Sequence, residues 1–191
     1  MSDGVFAVTL DEYRCVSLAF SPDATLLAIG GSNGLVGLWR VDTGRPLRHF
    51  VHDLLGSPVR AVAFAPDGSL LAAAGGEHLK VRDLRTGRLI LKRQHPADLT
   101  AVAIDGTSTR IATACADGTV RIWTRRGVLT SQEPNACTAE TSRLSFDGDR
   151  PVPAAETGDS ISSADGRWMA TITDTGAGVR VRSAVPKPRA S

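Results

Sequence analysis

Cysteine is scarce in this chain of 191 residues, and the little there is excludes two kinds of protein. Cys15, Cys115 and Cys137 are odd in number, far apart and without a Cys-x-x-Cys pair, so neither a disulfide framework nor a zinc site is indicated. Cys15 and Cys115 fall in alternating apolar stretches and are expected to be small buried residues. Long apolar runs are missing too. None approaches about 18 residues, and the start, MSDGVFAVTLDEYR, has no basic segment followed by an apolar one, so neither a signal peptide nor a membrane span is expected. The expected compartment is the cytoplasm. No charge dominates: 22 basic against 20 acidic residues leave +2, too balanced to make nucleic acid or an anionic membrane the expected partner. Lysine is rare, since 19 of the 22 basic residues are arginine. A guanidinium fork suits phosphate or carboxylate, but the accompanying wealth of Ala and Gly points to a general bias of composition. No serine or cysteine sits in an elbow-like context, no His/Cys/Asp/Glu cluster has ligand spacing, and no Gly-rich loop opens a helix. No catalytic residue, cofactor or metal is therefore expected.

What is present is a repeat. Leu99 to Trp123 holds three alternating runs, LTAVAI, RIATAC and TVRIW, split by Asp105-Gly106-Thr107-Ser108 and Ala116-Asp117-Gly118, which predicts a strand-turn-strand-turn-strand meander. The same order appears as CVSLAF, LLAIG, LVGLWR and PLRHFV over 15–51, and as VRAVAF, LLAAA, LKVRDL and LILKR over 59–93. Pro and Asp suit the first turn of the first two units, and Asn33-Gly34 suits a tight hairpin. Asp23 to Asp67 is 44 residues and Gly87 to Gly127 is 40, so the period is steady. With VLTSQ as its fourth strand the third unit spans 99–132, and a fourth unit, with three strands, spans 160–183. Small residues alternate along the first strands, as at Ala61 and Ala63, which lets neighbouring sheets crowd together.

About 14 residues more than the period requires lie in 133–159. SRLSF and RPVPA can pair there as a hairpin or begin a degenerate unit, but Pro151 and Pro153 favour an inserted surface loop. Residues 1–184 are expected to form one domain and 185–191 a disordered tail.

FSPDATLLAIGGSNGLVGLW, FAPDGSLLAAAGGEHLKVRD and ADGTVRIW together resemble the WD-repeat family of β-propellers, in particular its bacterial arrays. The resemblance implies an all-β propeller of about four blades, three complete and the last either partial or closed by an N-terminal strand at 4–10. It also implies a pinning tetrad of His, Ser or Thr, Asp and Trp, which His95, Thr113, Asp117 and Trp123 supply in the third unit. The second unit departs, with His52 present but Glu77 and Arg82 at the Asp and Trp positions, and the first unit has Trp39 but no His before Cys15. The ring is expected to close within one chain, by pairing of two chains, or with further blades of a longer protein.

Such a resemblance implies a non-catalytic scaffold that holds a protein or peptide partner on its rim loops. It is also compatible with the C-terminal part of a larger signalling protein. Asn33, Arg60, Glu77, His78 and Thr100 are the candidate rim contacts. The alternative is a propeller enzyme, a metal-dependent hydrolase or lactonase acting in the channel.

Overall fold

The computed structural model describes residues 6–9, 14–138, 141–153, 160–165, 167–172 and 178–183. Among these every regular element is a β-strand. After β1 (Phe6–Thr9) come β2 (Cys15–Phe20), β3 (Leu26–Gly31), β4 (Leu35–Arg40) and β5 (Pro46–Val51), which form the first four-stranded antiparallel sheet in chain order. The second sheet is β6 (Ala61–Phe64), β7 (Leu70–Gly75), β8 (His78–Asp83) and β9 (Leu89–Gln94). The third is β10 (Leu99–Ile104), β11 (Arg110–Cys115), β12 (Val120–Thr124) and β13 (Leu129–Glu133). A two-stranded hairpin follows, β14 (Leu144–Asp147) with β15 (Arg150–Pro153). The last sheet comprises β16 (Ser160–Ser162), β17 (Trp168–Ile172) and β18 (Gly178–Ser183), with β1 as its fourth strand through Phe6↔Val181 and Thr9↔Gly178.

The turns between the first two strands of each unit share one device. Asp23, Asp67 and Asp105 each accept a hydrogen bond from a backbone N–H further along the turn, Thr25 at 3.1 Å, Ser69 at 2.9 Å and Thr109 at 2.8 Å. Each turn also contains one left-handed residue, Ala24 (φ 57), Gly68 (φ 71) and Ser108 (φ 59). The chain must reverse tightly here, and the carboxylate satisfies amide groups that the ladder has released.

Alternation with period two sorts the strands into four cores. On β3, Leu27 and Ile29 face Ala170, Val179 and Val181 of the last sheet, while Ala28 faces Val62 and Phe64 of the second. On β7, Leu71 and Ala73 face the first sheet, while Leu70 and Ala72 face Leu99, Ile111 and Trp123 of the third. A fully buried leucine or isoleucine contributes about 1.5–3 kcal/mol, and the alanines keep adjacent inner strands close. Gly75 has a sharper constraint: a Cβ there would run into the Pro58 carbonyl of the segment between the first two sheets.

Residues 133–159, expected as a surface loop, contain the β14–β15 hairpin, and Leu144 is buried against Ala101, Ala103 and Ala112 of the third sheet. Its prolines are tolerated because β15 pairs on one side only, so their missing N–H groups interrupt no second ladder. Residues 139–140 and 154–159 of that span, the tail at 185–191, and residues 4, 5 and 10 of the expected closing strand lie outside the described residues.

Candidate interaction surface

In the third sheet, β11 and β12 place Thr113 and Trp123 on the face that receives His95 from the segment before β10. The Trp123 indole N–H donates to Thr113 Oγ1 at 3.1 Å, and His95 Nε2 lies 3.0 Å from the same oxygen. The two rings meet edge to face at 5.2 Å. Burial, followed by the nearby charge of Arg121, lowers the His95 pKa to about 4, so the imidazole is neutral near pH 7. His95, Thr113 and Trp123 are thus brought together.

Asp117 is not joined to them. Its Oδ1 accepts the Thr119 N–H at 2.9 Å and its Oδ2 pairs with Arg121 at 3.4 Å, leaving His95 Nδ1 buried without a partner. The physical reason is Arg121: a guanidinium that is only 7% exposed needs a counter-charge, and Asp117 is the carboxylate within reach. Nothing in the sequence pattern ranks that demand above the imidazole's.

In a four-stranded meander the turn between the second and third strands and the exit from the fourth share one end of the sheet. That rim holds the hairpins at 31–34 and 75–78 and the connections at 52–60 and 95–98. Asn33 sits in the first hairpin, half-buried, its Oδ1 accepting the Leu35 N–H at 3.1 Å. Arg60 and Glu77 are exposed, and Glu77 accepts a hydrogen bond from Gln94 at 3.0 Å. His78 is half-buried at the first position of β8, opposite Gly75. Thr100 does not belong to the exposed rim. A bulge between Leu99 and Ala101 leaves it unpaired and buried, with its hydroxyl donating to the Ala114 carbonyl at 3.4 Å.

The most exposed apolar residues of the rim are a pair not singled out in the sequence. Leu54 and Leu55, 90% and 95% exposed, occupy the connection between the first two sheets. Their turn is well defined: Asp53 accepts the N–H groups of Leu55 at 2.9 Å and Ser57 at 3.3 Å, and Gly56 takes φ 81. Hydrogen bonds from Ser57 and Leu55 hold the Asp53 carboxyl at about 2. The signal available in the sequence is two adjacent leucines inside a segment, HDLLGSP, marked as a turn on both sides. Among the described residues no group of three or more His, Cys, Asp or Glu side chains is arranged to hold a metal ion, and no helix is long and apolar enough to cross a membrane.

The family described as WD domain, G-beta repeat matches residues 5–40, 44–83 and 87–124. The chain is 40% identical over 86 residues to WD repeat-containing protein SL1-17 of Schistosoma mansoni, a stretch covering 44% of this chain and 28% of that protein. It is 35% identical over 109 residues to human WD repeat-containing protein 90, covering 56% of this chain and 6% of the relative. With Target of rapamycin complex subunit wat1 of Schizosaccharomyces pombe it shares 30% identity over 115 residues, 58% of this chain and 36% of that one. These relatives are eukaryotic, and the chain spans at most 36% of any of the three. In fold, the chain superposes over 93% of its length on 54% of U3-55K, with a TM-score of 0.67 at 14% identity. It matches 53% of the RRP9 WD40 repeats with a TM-score of 0.68, also at 14%.

Proposed function

Because the chain belongs to the WD domain, G-beta repeat family, we propose that it is a protein-interaction scaffold that holds a protein or peptide partner on the rim carrying Leu54 and Leu55. The observation that carries this reading is the exposure of two adjacent leucines on a turn tied by Asp53. An apolar pair held in one conformation forms a contact without a large ordering cost, and solvent-exposed apolar side chains grouped on a loop mark interaction sites. Arg60 and Glu77 flank it as polar contacts that set orientation. One relative is named as a subunit of the target of rapamycin complex, and another carries a SOCS box beside its WD repeats. We read the present chain likewise, as a binding part within a larger signalling assembly. Its three cysteines form no disulfide, which fits a reducing compartment such as the cytoplasm.

The test is affinity capture with the wild-type chain and with Leu54→Asp/Leu55→Asp, read by quantitative mass spectrometry and repeated with the purified partner. Both leucines are nearly fully exposed, so the variant is expected to melt within about 0.5 kcal/mol of wild type. Its partner affinity is expected to fall by roughly tenfold or more. Equal retention by the two proteins overturns the assignment of this rim.

A further inference from the structure

The second sheet lacks two of the side chains that pin the third, and the space they would fill is bordered by apolar residues and two cations, Lys80 and Arg82. In the strand register, Ala73 opposite Lys80 corresponds to Thr113 opposite Arg121, and Leu71 opposite Arg82 to Ile111 opposite Trp123. Hydroxyl and indole are therefore replaced by a methyl group and a guanidinium. A shallow, solvent-open cleft lies there between the first two sheets, walled by Val36, Phe50, Val51, His52, Lys80 and Arg82. His52, the counterpart of His95, is 2% exposed with Nδ1 unpartnered, and its Nε2 bonds the Gly75 carbonyl at 3.2 Å instead of a hydroxyl.

The charges around this cleft are unbalanced. Lys80 donates to the His52 carbonyl, and Arg82 to those of Val51 at 3.4 Å and Gly87 at 3.3 Å. Neither forms an ion pair among the described residues. Arg121, which occupies the position of Lys80 in the third sheet, has Asp117, whereas the corresponding acid here, Glu77, is bonded to Gln94. Lys92 stands directly across the ladder from Lys80, and Arg48 and Arg82 lie 6.0 and 4.7 Å from the Phe50 ring centre. Burial, then the charges of Lys92 and Arg82, lower the pKa of Lys80, and the Asp53 carboxylate, which forms no ion pair with it, offsets them only in part.

We propose that this cleft receives a carboxylate side chain of an acidic partner segment, its oxygens pairing with Lys80 and Arg82 while neighbouring apolar residues of the segment lie against Val51. The proposal rests on the scaffold reading and gives the partner a chemical class. Val51 is 42% exposed beside the cations, so one extended segment meets apolar and basic surface together. Single-stranded nucleic acid would need an open aromatic face for stacking. Phe50 is only 8% exposed and lies beneath the Arg82 guanidinium.

Calorimetric titration of the 191-residue chain tests this with three probes: a blocked hexapeptide alternating glutamate with leucine, the same peptide with glutamine for glutamate, and an oligothymidylate. The glutamate peptide is expected to bind, more weakly as salt rises, and the glutamine peptide to lose roughly tenfold or more. Lys80→Met and Arg82→Gln are each expected to weaken it roughly fivefold or more, and Arg82→Trp, which fills the cleft as Trp123 fills its own, to abolish binding. Thermal melts of each variant establish that it is folded. Equal affinity for both peptides, tighter binding of the oligothymidylate, or wild-type affinity in folded Lys80→Met and Arg82→Gln overturns the proposal. Failure of the peptide with leucine-dependent capture intact therefore removes the cleft and leaves the scaffold, and the reverse pattern removes the rim assignment alone.

Discussion

A single hydroxyl holds the two central strands of the third sheet to the segment before it. Thr113 Oγ1 accepts the Trp123 N–H, and its own hydrogen points to the Arg121 carbonyl at 3.4 Å, so His95 must donate through Nε2–H. Two buried donors thus depend on one oxygen that is fully inaccessible. Thr113→Val keeps the volume and removes the acceptor, and is expected to cost about 2–3 kcal/mol, measured as a lowered urea midpoint with an unchanged slope. The same burial makes the molecule sensitive to acid. His52 and His95 both have pKa values lowered to about 4, by burial first and then by the charge of Lys80 or Arg121. The folded state binds fewer protons than the unfolded one, so their contribution is complete above the unfolded value of about 6.5 and is lost as pH falls from there towards 4. Together they are expected to remove several kcal/mol, about 3 at most for each histidine. The carboxyls of Asp105 and Asp165, at about 2, act only below that window. For Asp105, burial alone would raise the value and is outweighed by hydrogen bonds from Thr107, Arg110 and Thr109. Urea denaturation at a series of pH values checks this, and a midpoint that stays flat from pH 6.5 to 4 would contradict it.

At the scale of the element, the strands were legible wherever turn chemistry and alternation agreed. The runs at 15–20, 35–40, 46–51, 99–104 and 110–115 coincide with β2, β4, β5, β10 and β11 because Pro, Asp and Gly mark their ends. The β14–β15 hairpin was harder to see. Two prolines count against a strand in general, but they do not count against an edge with a single partner. Within the third sheet, the resemblance to WD repeats brought His95, Thr113 and Trp123 together but did not disclose the competition for Asp117, because Arg121 reads as an ordinary strand residue until its burial is known. Thr100 was misplaced for a related reason: a bulge changes which residues face outward, and no residue of LTA announces one. Leu54 and Leu55 carry no periodicity; the turn residues around them in HDLLGSP are their one sequence signal, and their exposure is what gives it meaning. In the second sheet, Glu77 and Arg82 were visible as departures from the pinning pattern, yet the cleft beside Ala73 and Arg82 follows only from two sheets packed side by side.

At the scale of the molecule, five sheets are joined by four apolar cores among the described residues, so the array has two end faces. One face belongs to the last sheet. There Ala170, Val179 and Val181 turn inward, and by alternation Met169, Thr171, Arg180 and Arg182 turn away, the two arginines exposed. The other belongs to the hairpin, where Leu144 and Phe146 face the third sheet and the opposite face holds Ser145 with Val152 and Asp147 with Arg150. Polar end faces are what a stacked array needs in order to stay in solution without a neighbour. Joining two copies end to end would bury Arg180 and Arg182 against a face that offers Asp147 beside a further arginine, Arg150, which pairs with Glu133; one carboxylate cannot match both guanidinium groups, and burying an unpaired charge costs several kcal/mol. Light scattering of the isolated chain is therefore expected to give the mass of one copy, 20.1 kDa, from low to high micromolar concentration. Arg180→Leu/Arg182→Leu converts that end into an apolar face and is expected to associate in a concentration-dependent way. A wild-type mass that doubles with concentration, or a leucine variant that stays as single copies, would show that charge on this face is not what keeps the copies apart.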